Sequence, residues 1–227
     1  LLDDDIKYFN YNRDQAHVDE IPSKTAIEQA VTQWVADKMN DKPANLYIVM
    51  VDHGLDDIFF IDPDTITSAD LAGWLDTLQN SLNDQAKDQE LIVILGFCRS
   101  GSFIDDLSGK NRIIIASAAP GESSYKGPLD EDGIREGEYF ISEFFKAVSF
   151  GKSLKQCFKE AVTLTEIFTS SGSDSANAPY YDNSLQHPLL DDNGNGQGSN
   201  ELGIYDDGLL SNNIFIGVSS ITQNDPR

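Results

Sequence analysis

The sequence is short of cysteine and of long apolar runs, and both shortages exclude classes of protein. Only Cys98 and Cys157 occur among 227 residues, which is too few for a disulfide framework, and neither has a partner at the spacing of a zinc site. No apolar stretch approaches the roughly 18 residues that a membrane span requires, and the first residues do not form a signal peptide. We therefore expect no membrane partner.

Positive charge is also scarce. Lys and Arg number 16 against 38 Asp and Glu, which leaves a net charge of −22 at pH 7. Because this charge repels phosphate backbones and anionic membranes, it argues against a nucleic-acid partner. A strongly acidic protein stays soluble in salt, so we expect a secreted or extracytoplasmic setting.

The chain length fits one α/β domain with an appendage, and a chain of this size folds without a disulfide or a metal. Apolar periodicity persists to residue 169, after which the composition changes to Gly, Ser, Asn and Asp. We expect a folded domain over residues 1–169, a Gly/Asn/Asp-rich loop over 170–212, and a terminal strand with the start of a linker over 213–227.

Strand and helix patterns alternate along the chain. Apolar runs predict strands at residues 6–9, 46–51, 58–61, 91–97, 112–116 and 213–218. Apolar residues at helical spacing, with capping signals, predict helices that begin near Thr25, Thr67, Tyr139 and Ser153. This alternation is typical of an α/β fold in which a mostly parallel sheet lies between helices on both faces.

Two predicted strands end in residues that can do chemistry. One runs into Asp-His-Gly at 52–54, and the next core strand runs into Cys-Arg-Ser-Gly-Ser at 98–102. The helix that begins near Thr67 separates them, and such a unit makes a right-handed crossover between parallel strands that are usually neighbours. Parallel neighbours end at the same sheet edge, where α/β proteins bind ligands. The sequence therefore predicts that His53 and Cys98 lie about one strand spacing apart.

A thiol beside an imidazole is a combination used in nucleophilic catalysis. A free cysteine has a pKa of ~8.5, so a histidine within hydrogen-bond reach is needed to take its proton and later give one to a leaving amine. The backbone N–H groups of Gly54 and Cys98 are candidates for an oxyanion hole. Taken singly, His53 and Cys98 would be interpreted as structural residues, but their combination at two strand ends favours catalysis. Cys157, inside a helix pattern, is typical of a small buried hydrophobic residue.

A third strand, before Ala-Ala-Pro-Gly-Glu-Ser-Ser-Tyr at 118–125, completes a series of motifs. In this order the three motifs resemble the legumain family of caspase-fold cysteine peptidases (clan CD), over about half the chain. The resemblance implies a caspase-like three-layer αβα sandwich for residues 1–169, a Cys-His dyad without an obligatory third member, and no cofactor for catalysis. It also implies a first strand that is missing here, so an upstream segment or a second chain is expected to complete the sheet.

The resemblance also assigns a substrate pocket. In that family the Glu-Ser-Ser-Tyr stretch lines the pocket for the residue before the cut, which here corresponds to Ser123, Ser124 and Tyr125, and Glu138 takes the position of the pocket aspartate. The family often has an acidic residue two places before the nucleophile, where this chain has Gly96, and the family's pocket arginine would precede residue 1. A preference for asparagine therefore does not follow. An ordinary polar turn is the alternative for Ser123, Ser124 and Tyr125.

The acidic loop contains half of a calcium-binding pattern. Asp191, Asn193 and Asn195 alternate as in an EF-hand loop, but the twelfth position is Leu202 instead of Glu. A structural calcium ion and a solvated flexible loop both remain open as interpretations.

The sequence thus favours a cysteine endopeptidase acting on peptide or protein substrates, with Cys98 as nucleophile and His53 as general base. Two alternatives stay open. A non-catalytic binding or scaffolding module would keep the fold and the residues, and a transpeptidase would pass the acyl group to an amine instead of water.

Overall fold

The computed structural model describes residues 3–127, 137–170, 184–203 and 206–217. The α-helices in this part of the chain are α1 (Lys24–Gln29), α2 (Val35–Asp41), α3 (Ser68–Ser81), α4 (Ile104–Leu107), α5 (Tyr139–Ser149) and α6 (Leu154–Thr169). The β-strands are β1 (Leu46–Val51), β2 (Gly54–Leu55), β3 (Ile58–Ile61), β4 (Asp64–Thr67), β5 (Leu91–Gly96), β6 (Arg112–Ala116) and β7 (Leu189–Asp191). A π-helical stretch, Ala30–Trp34, joins α1 to α2. None of the described helices combines the length and the apolar character needed to cross a membrane.

The central sheet has the strand order β1-β5-β6-β7. Strands β1, β5 and β6 are parallel, and β7 runs antiparallel to β6. Strands β2, β3 and β4 form a separate antiparallel sheet that follows β1. The predicted α/β class with a mostly parallel sheet is therefore confirmed.

Two hydrophobic cores lie on opposite faces of the central sheet. Alternate residues of β5 contribute to each, since Val93 lies in the core with α1 to α4 and Ile94 in the core with α5 and α6. Leu75 of α3 belongs to the first core, and Phe144 of α5 and Phe158 of α6 belong to the second. The result is the predicted three-layer αβα sandwich.

Capping signals place two helix starts correctly and one wrongly. The predicted capping box of Ser153 with Gln156 is present and caps α6. The helix predicted to start at Thr67 does so, with Thr67 as the N-cap of α3 in a capping box with Asp70. The first helix was expected to begin at Thr25, but Ser23 is its N-cap and accepts the Ala26 N–H at 3.2 Å. Ser23 is also a capping residue, and its extended backbone lets the helix start earlier.

Three strand predictions need correction. Only Phe9 of residues 6–9 makes a bridge, to Glu20. Residues 213–217 of the predicted terminal strand contain the last residue of a 3-10 turn, Ser211–Asn213, and no strand, while residue 218 lies outside the described residues. Conversely, β7 lies inside the predicted loop 170–212. A strand exists only where a neighbour supplies its hydrogen bonds, so apolar runs without a neighbour remain irregular.

Strand β1 forms an edge of the described sheet, although its apolar run predicted burial on both faces. Its residue Met50 is buried, but Val49 and Val51 are 44% and 45% exposed. A cavity of about 710 Å³ runs beside this strand, lined by residues 5–11 on one side and residues 46–52 on the other. The presence of an upstream segment or second chain that completes the sheet stays a prediction.

Candidate active site

The register of β1 and β5 brings the two candidate catalytic residues to one edge of the sheet. Val51 pairs with Gly96, and His53 and Cys98 each follow their strand by two residues. Neighbouring strands lie ~4.8 Å apart. The His53 side chain is exposed and Cys98 is half-buried, and no hydrogen bond joins their side chains among the described contacts. Both residues therefore lie at the same, solvent-accessible edge of the sheet.

Because Gly54 has no side chain, the segment that contains His53 can approach the turn that contains Cys98 closely. A Cβ atom at this position would lie 2.3 Å from the Phe97 ring and 2.9 Å from the carbonyl oxygen of Cys98. Any side chain here would push the two segments apart, so the absence of a side chain sets the separation of the two chains at the edge.

Cys98 lies in a tight turn between β5 and the 3-10 segment Ser100–Phe103. Arg99 has φ +62°, a left-handed conformation uncommon for a residue other than glycine. Its N–H donates to the Glu122 carbonyl at 2.7 Å, and the Gly101 N–H donates to the Ala118 carbonyl at 2.8 Å. These bonds tie the turn to the loop after β6 and maintain the strained conformation.

A salt bridge ties the same turn to the β2–β3 hairpin. The Arg99 guanidinium contacts the Asp56 carboxylate at 2.7 Å, and the other carboxylate oxygen accepts the Gly121 N–H at 3.2 Å. The neighbouring Asp57 N–H donates to the Ser102 hydroxyl at 2.8 Å. The turn at Cys98, the loop after β6 and the β2–β3 hairpin therefore meet at this point. No sequence motif predicted that Asp56 would take part in the contact.

The sulfur of Cys98 contacts Ser124. The Ser124 N–H lies 3.4 Å from Sγ and can donate to it, and the Ser124 hydroxyl lies at 3.7 Å. The Ser124 backbone therefore supplies a hydrogen-bond donor directed at the sulfur. The Cys98 N–H itself donates to no acceptor among the described residues, so it is available to a ligand.

The second cysteine has a different environment. Cys157 is fully buried in α6, and both cysteines are free thiols. Burial raises the pKa of the Cys157 thiol to about 11, which leaves almost no thiolate at neutral pH. Its interpretation as a small buried hydrophobic residue is confirmed, and the two cysteines form no disulfide.

The residues predicted for the substrate pocket occupy different settings. Ser123 and Tyr125 are exposed, while Ser124 lies at the Cys98 sulfur. Glu138 is buried and caps α5, where its carboxylate accepts the Ile141 N–H at 2.8 Å. The structure thus places Ser124 against the Cys98 sulfur, whereas Glu138 is buried at the start of α5.

Gly96 leaves no room for the acidic residue that the resemblance leads one to look for. A Cβ atom there would lie 2.4 Å from Ile141 Cγ1 of α5. The close contact between β5 and α5 therefore requires a residue without a side chain.

His187, for which the sequence pattern predicted no role, contacts the loop after β6 that contains the Glu-Ser-Ser-Tyr motif. His187 Nδ1 lies 2.7 Å from a carboxylate oxygen of Glu122, and its backbone N–H donates to the other oxygen at 2.8 Å. Its Nε2 lies 2.7 Å from the Ser184 hydroxyl. His187 and Glu122 lie 65 residues apart in the chain, so no sequence pattern predicts their contact. The only sequence signals near them are the Glu-Ser-Ser-Tyr motif, which contains Glu122, and the position of His187 two residues before β7.

Glu138 makes the stability of the protein depend on pH. Burial raises the pKa of its carboxyl to about 7, because the charged form loses its water. Since an unfolded Glu has a pKa of ~4.3, the folded protein binds the extra proton between these values. The free energy of unfolding therefore falls as pH rises through this window, and Asp207, whose pKa burial raises to about 6, acts in the same direction.

We expect Tm to be several degrees lower at pH 8 than at pH 5, and Glu138→Gln to flatten this dependence in thermal unfolding followed by circular dichroism. Glu201→Gln, at an exposed glutamate, is the control and should leave the slope unchanged. A Tm that rises between pH 5 and pH 8 would contradict the sign of the argument.

The candidate calcium residues lie towards the amino end of β6, away from Cys98. The Asp191 carboxylate accepts three backbone N–H groups of its own loop at 3.0–3.3 Å, and Asn193 and Asn195 each accept one, at 2.9 and 2.8 Å. Within the described ranges, no group of three or more His, Cys, Asp or Glu side chains is placed to hold a metal ion. Side-chain-to-backbone turns account for the alternation, and the calcium hypothesis stays a prediction.

Comparisons with known proteins agree with this geometry. The model of the peptidase C13 family matches residues 7–192. The comparison with curated proteins found no match. Among solved structures, the crystal structure of caspase-1 from Spodoptera frugiperda is similar, with a TM-score of 0.50 and 12% identity over 76% of this chain and 71% of that chain. At this identity the likeness shows the fold alone, a caspase-like αβα sandwich.

Proposed function

Because the chain belongs to the peptidase C13 family, the legumain family of cysteine peptidases, we propose that it is an endopeptidase with Cys98 as nucleophile and His53 as general base. The observation that supports this proposal is the pairing of Val51 with Gly96, because His53 and Cys98 each come two residues after a member of that pair. The close approach of Gly54 to the backbone of Cys98 supports the proposal further.

The proposed reaction has two steps. His53 takes the proton of the Cys98 thiol, the sulfur attacks the carbonyl carbon of the scissile bond, and the proton passes to the leaving amine as the C–N bond breaks. Water then attacks the thioester with His53 as base, which releases the carboxylic acid and restores the thiol. An exposed imidazole without a bond to sulfur is compatible with this role, because such bonds often tighten only with substrate present.

The negative charge that develops on the carbonyl oxygen needs nearby donors. The N–H of Cys98 is available, and we assign the N–H of Gly54 as the second donor of the oxyanion hole. Ser123, Ser124 and Tyr125 would contact the residue before the cut, since Ser124 already lies against the sulfur.

Exposure to a diverse peptide library, followed by mass spectrometry of the products, tests the proposal. We expect new amino termini at sites that share a residue before the cut. Addition of an amine nucleophile such as glycinamide separates hydrolysis from transpeptidation, because a transpeptidase yields the aminated product. Complete inertness toward the library would instead favour a non-catalytic binding module.

A further inference from the structure

We propose that Gln186 and Glu138 form a buried clamp that positions the Ser124–Tyr125 segment against Cys98. The clamp deepens the proposed peptidase function, on which its kinetic consequences rest. Gln186 follows no recognisable motif, and nothing in the resemblance assigns it a role.

Gln186 uses its whole amide group to join three parts of the fold. Its Nε2 donates to the Ser117 carbonyl at 2.8 Å, just beyond β6, and to Glu138 Oε1 at 2.7 Å. Its Oε1 accepts the Tyr125 N–H at 3.0 Å. The side chain is fully buried, so removal of the amide would take one buried hydrogen bond from each of these groups.

Glu138 completes the clamp from the start of α5. Its two carboxylate oxygens accept from Gln186 and from the Ile141 N–H, and the residue is 7% exposed. The backbone next to Glu138 also bonds to the Ser124–Tyr125 segment, since the Tyr139 N–H donates to the Tyr125 carbonyl at 2.8 Å. Glu138 therefore acts through Gln186 and the backbone as a positioning residue, without reaching the substrate.

The effect of the clamp reaches the sulfur through one peptide unit. The Tyr125 N–H is held by Gln186, and the preceding residue directs its own N–H at Cys98 Sγ at 3.4 Å. Loosening the clamp moves this donor away from the sulfur and shifts the surface that would meet both substrate and an alkylating reagent.

Gln186→Leu tests the clamp with two readouts. The rate of Cys98 alkylation by iodoacetamide needs no peptide cleavage and should fall severalfold. On a cleaved peptide, kcat/KM should fall roughly 10- to 100-fold, mainly through KM, because small misplacements of positioning groups have effects of this size. Glu138→Gln keeps one acceptor oxygen and should show a smaller loss than Glu138→Leu.

A matched core variant separates positioning from general destabilisation. Leu78→Ala removes a buried side chain from α3, on the other face of the sheet, and should lower Tm while leaving both readouts near wild type. Equal slowing by Leu78→Ala, or wild-type alkylation by Gln186→Leu in its folded state, would overturn the clamp. If the wild-type protein cleaves nothing, the peptidase proposal fails, and the alkylation rates still decide the clamp.

Discussion

Replacement of Cys98 by alanine will abolish peptide cleavage while leaving the fold intact. The sulfur is the atom that would form the thioester, and removal of a catalytic nucleophile typically lowers kcat by roughly 10⁴- to 10⁶-fold. Because Cys98 is half-buried and, among the described residues, its thiol hydrogen-bonds to Ser124 alone, the change should alter stability by less than about 1 kcal/mol. The measurements are turnover of the best peptide from the library and thermal unfolding.

Cys157→Ala is the matched control for the nucleophile. Its sulfur is buried in α6 and its raised pKa keeps it protonated, so this variant should lose stability and keep turnover. Iodoacetamide should label Cys98 in the wild type and in Cys157→Ala. Turnover retained by Cys98→Ala would end the assignment of this residue.

Replacement of His53 by glutamine will produce the second-largest loss. General acid–base catalysis contributes typically ~10²- to 10⁴-fold, and glutamine keeps the size of the side chain without a titratable nitrogen. The backbone role of His53 persists, because its carbonyl still accepts the Phe60 N–H at 3.0 Å. We expect kcat to fall with little change in KM, and the pH–rate profile to lose the step due to the imidazole.

His17→Gln is the control for the imidazole. His17 is exposed in a loop before α1, and its replacement should leave kcat within the error of the assay. A His53→Gln enzyme with wild-type kcat would show that another group takes the thiol proton.

The two members of the dyad differ in how the fold supports them. Cys98 follows β5, a fully buried strand with neighbours on both sides, and its turn is tied to two other loops. His53 follows β1, the edge strand with exposed Val49 and Val51. The turn at Cys98 is therefore held by bonds to two other loops, whereas the segment at His53 adjoins Gly54 and the β2–β3 hairpin.

The parts of the site that depend on local pattern were predictable. An apolar run, a capped helix and a second apolar run specify a strand–helix–strand unit, and the handedness of the crossover makes its strands neighbours. The relative places of His53 and Cys98 at the sheet edge follow from that unit alone. The helix start at Thr67 and the capping box at Ser153 are equally local, and both were correctly placed.

The amino-acid sequence by itself determined the α/β class, the parallel core strands and the location of His53 and Cys98 at one edge of the sheet, because each follows from local strand and helix patterns and from the usual connection of a strand–helix–strand unit. Only the tertiary structure decided that β1 lies at an edge of the sheet among the described residues and that β7 joins the sheet, since a strand needs a neighbour and no sequence pattern identifies that neighbour. The same holds for Gln186 with Glu138, 48 residues apart, and for Arg99 with Asp56, 43 apart. Such contacts depend on where distant segments meet in space, and single polar residues carry no periodic signal of their partners.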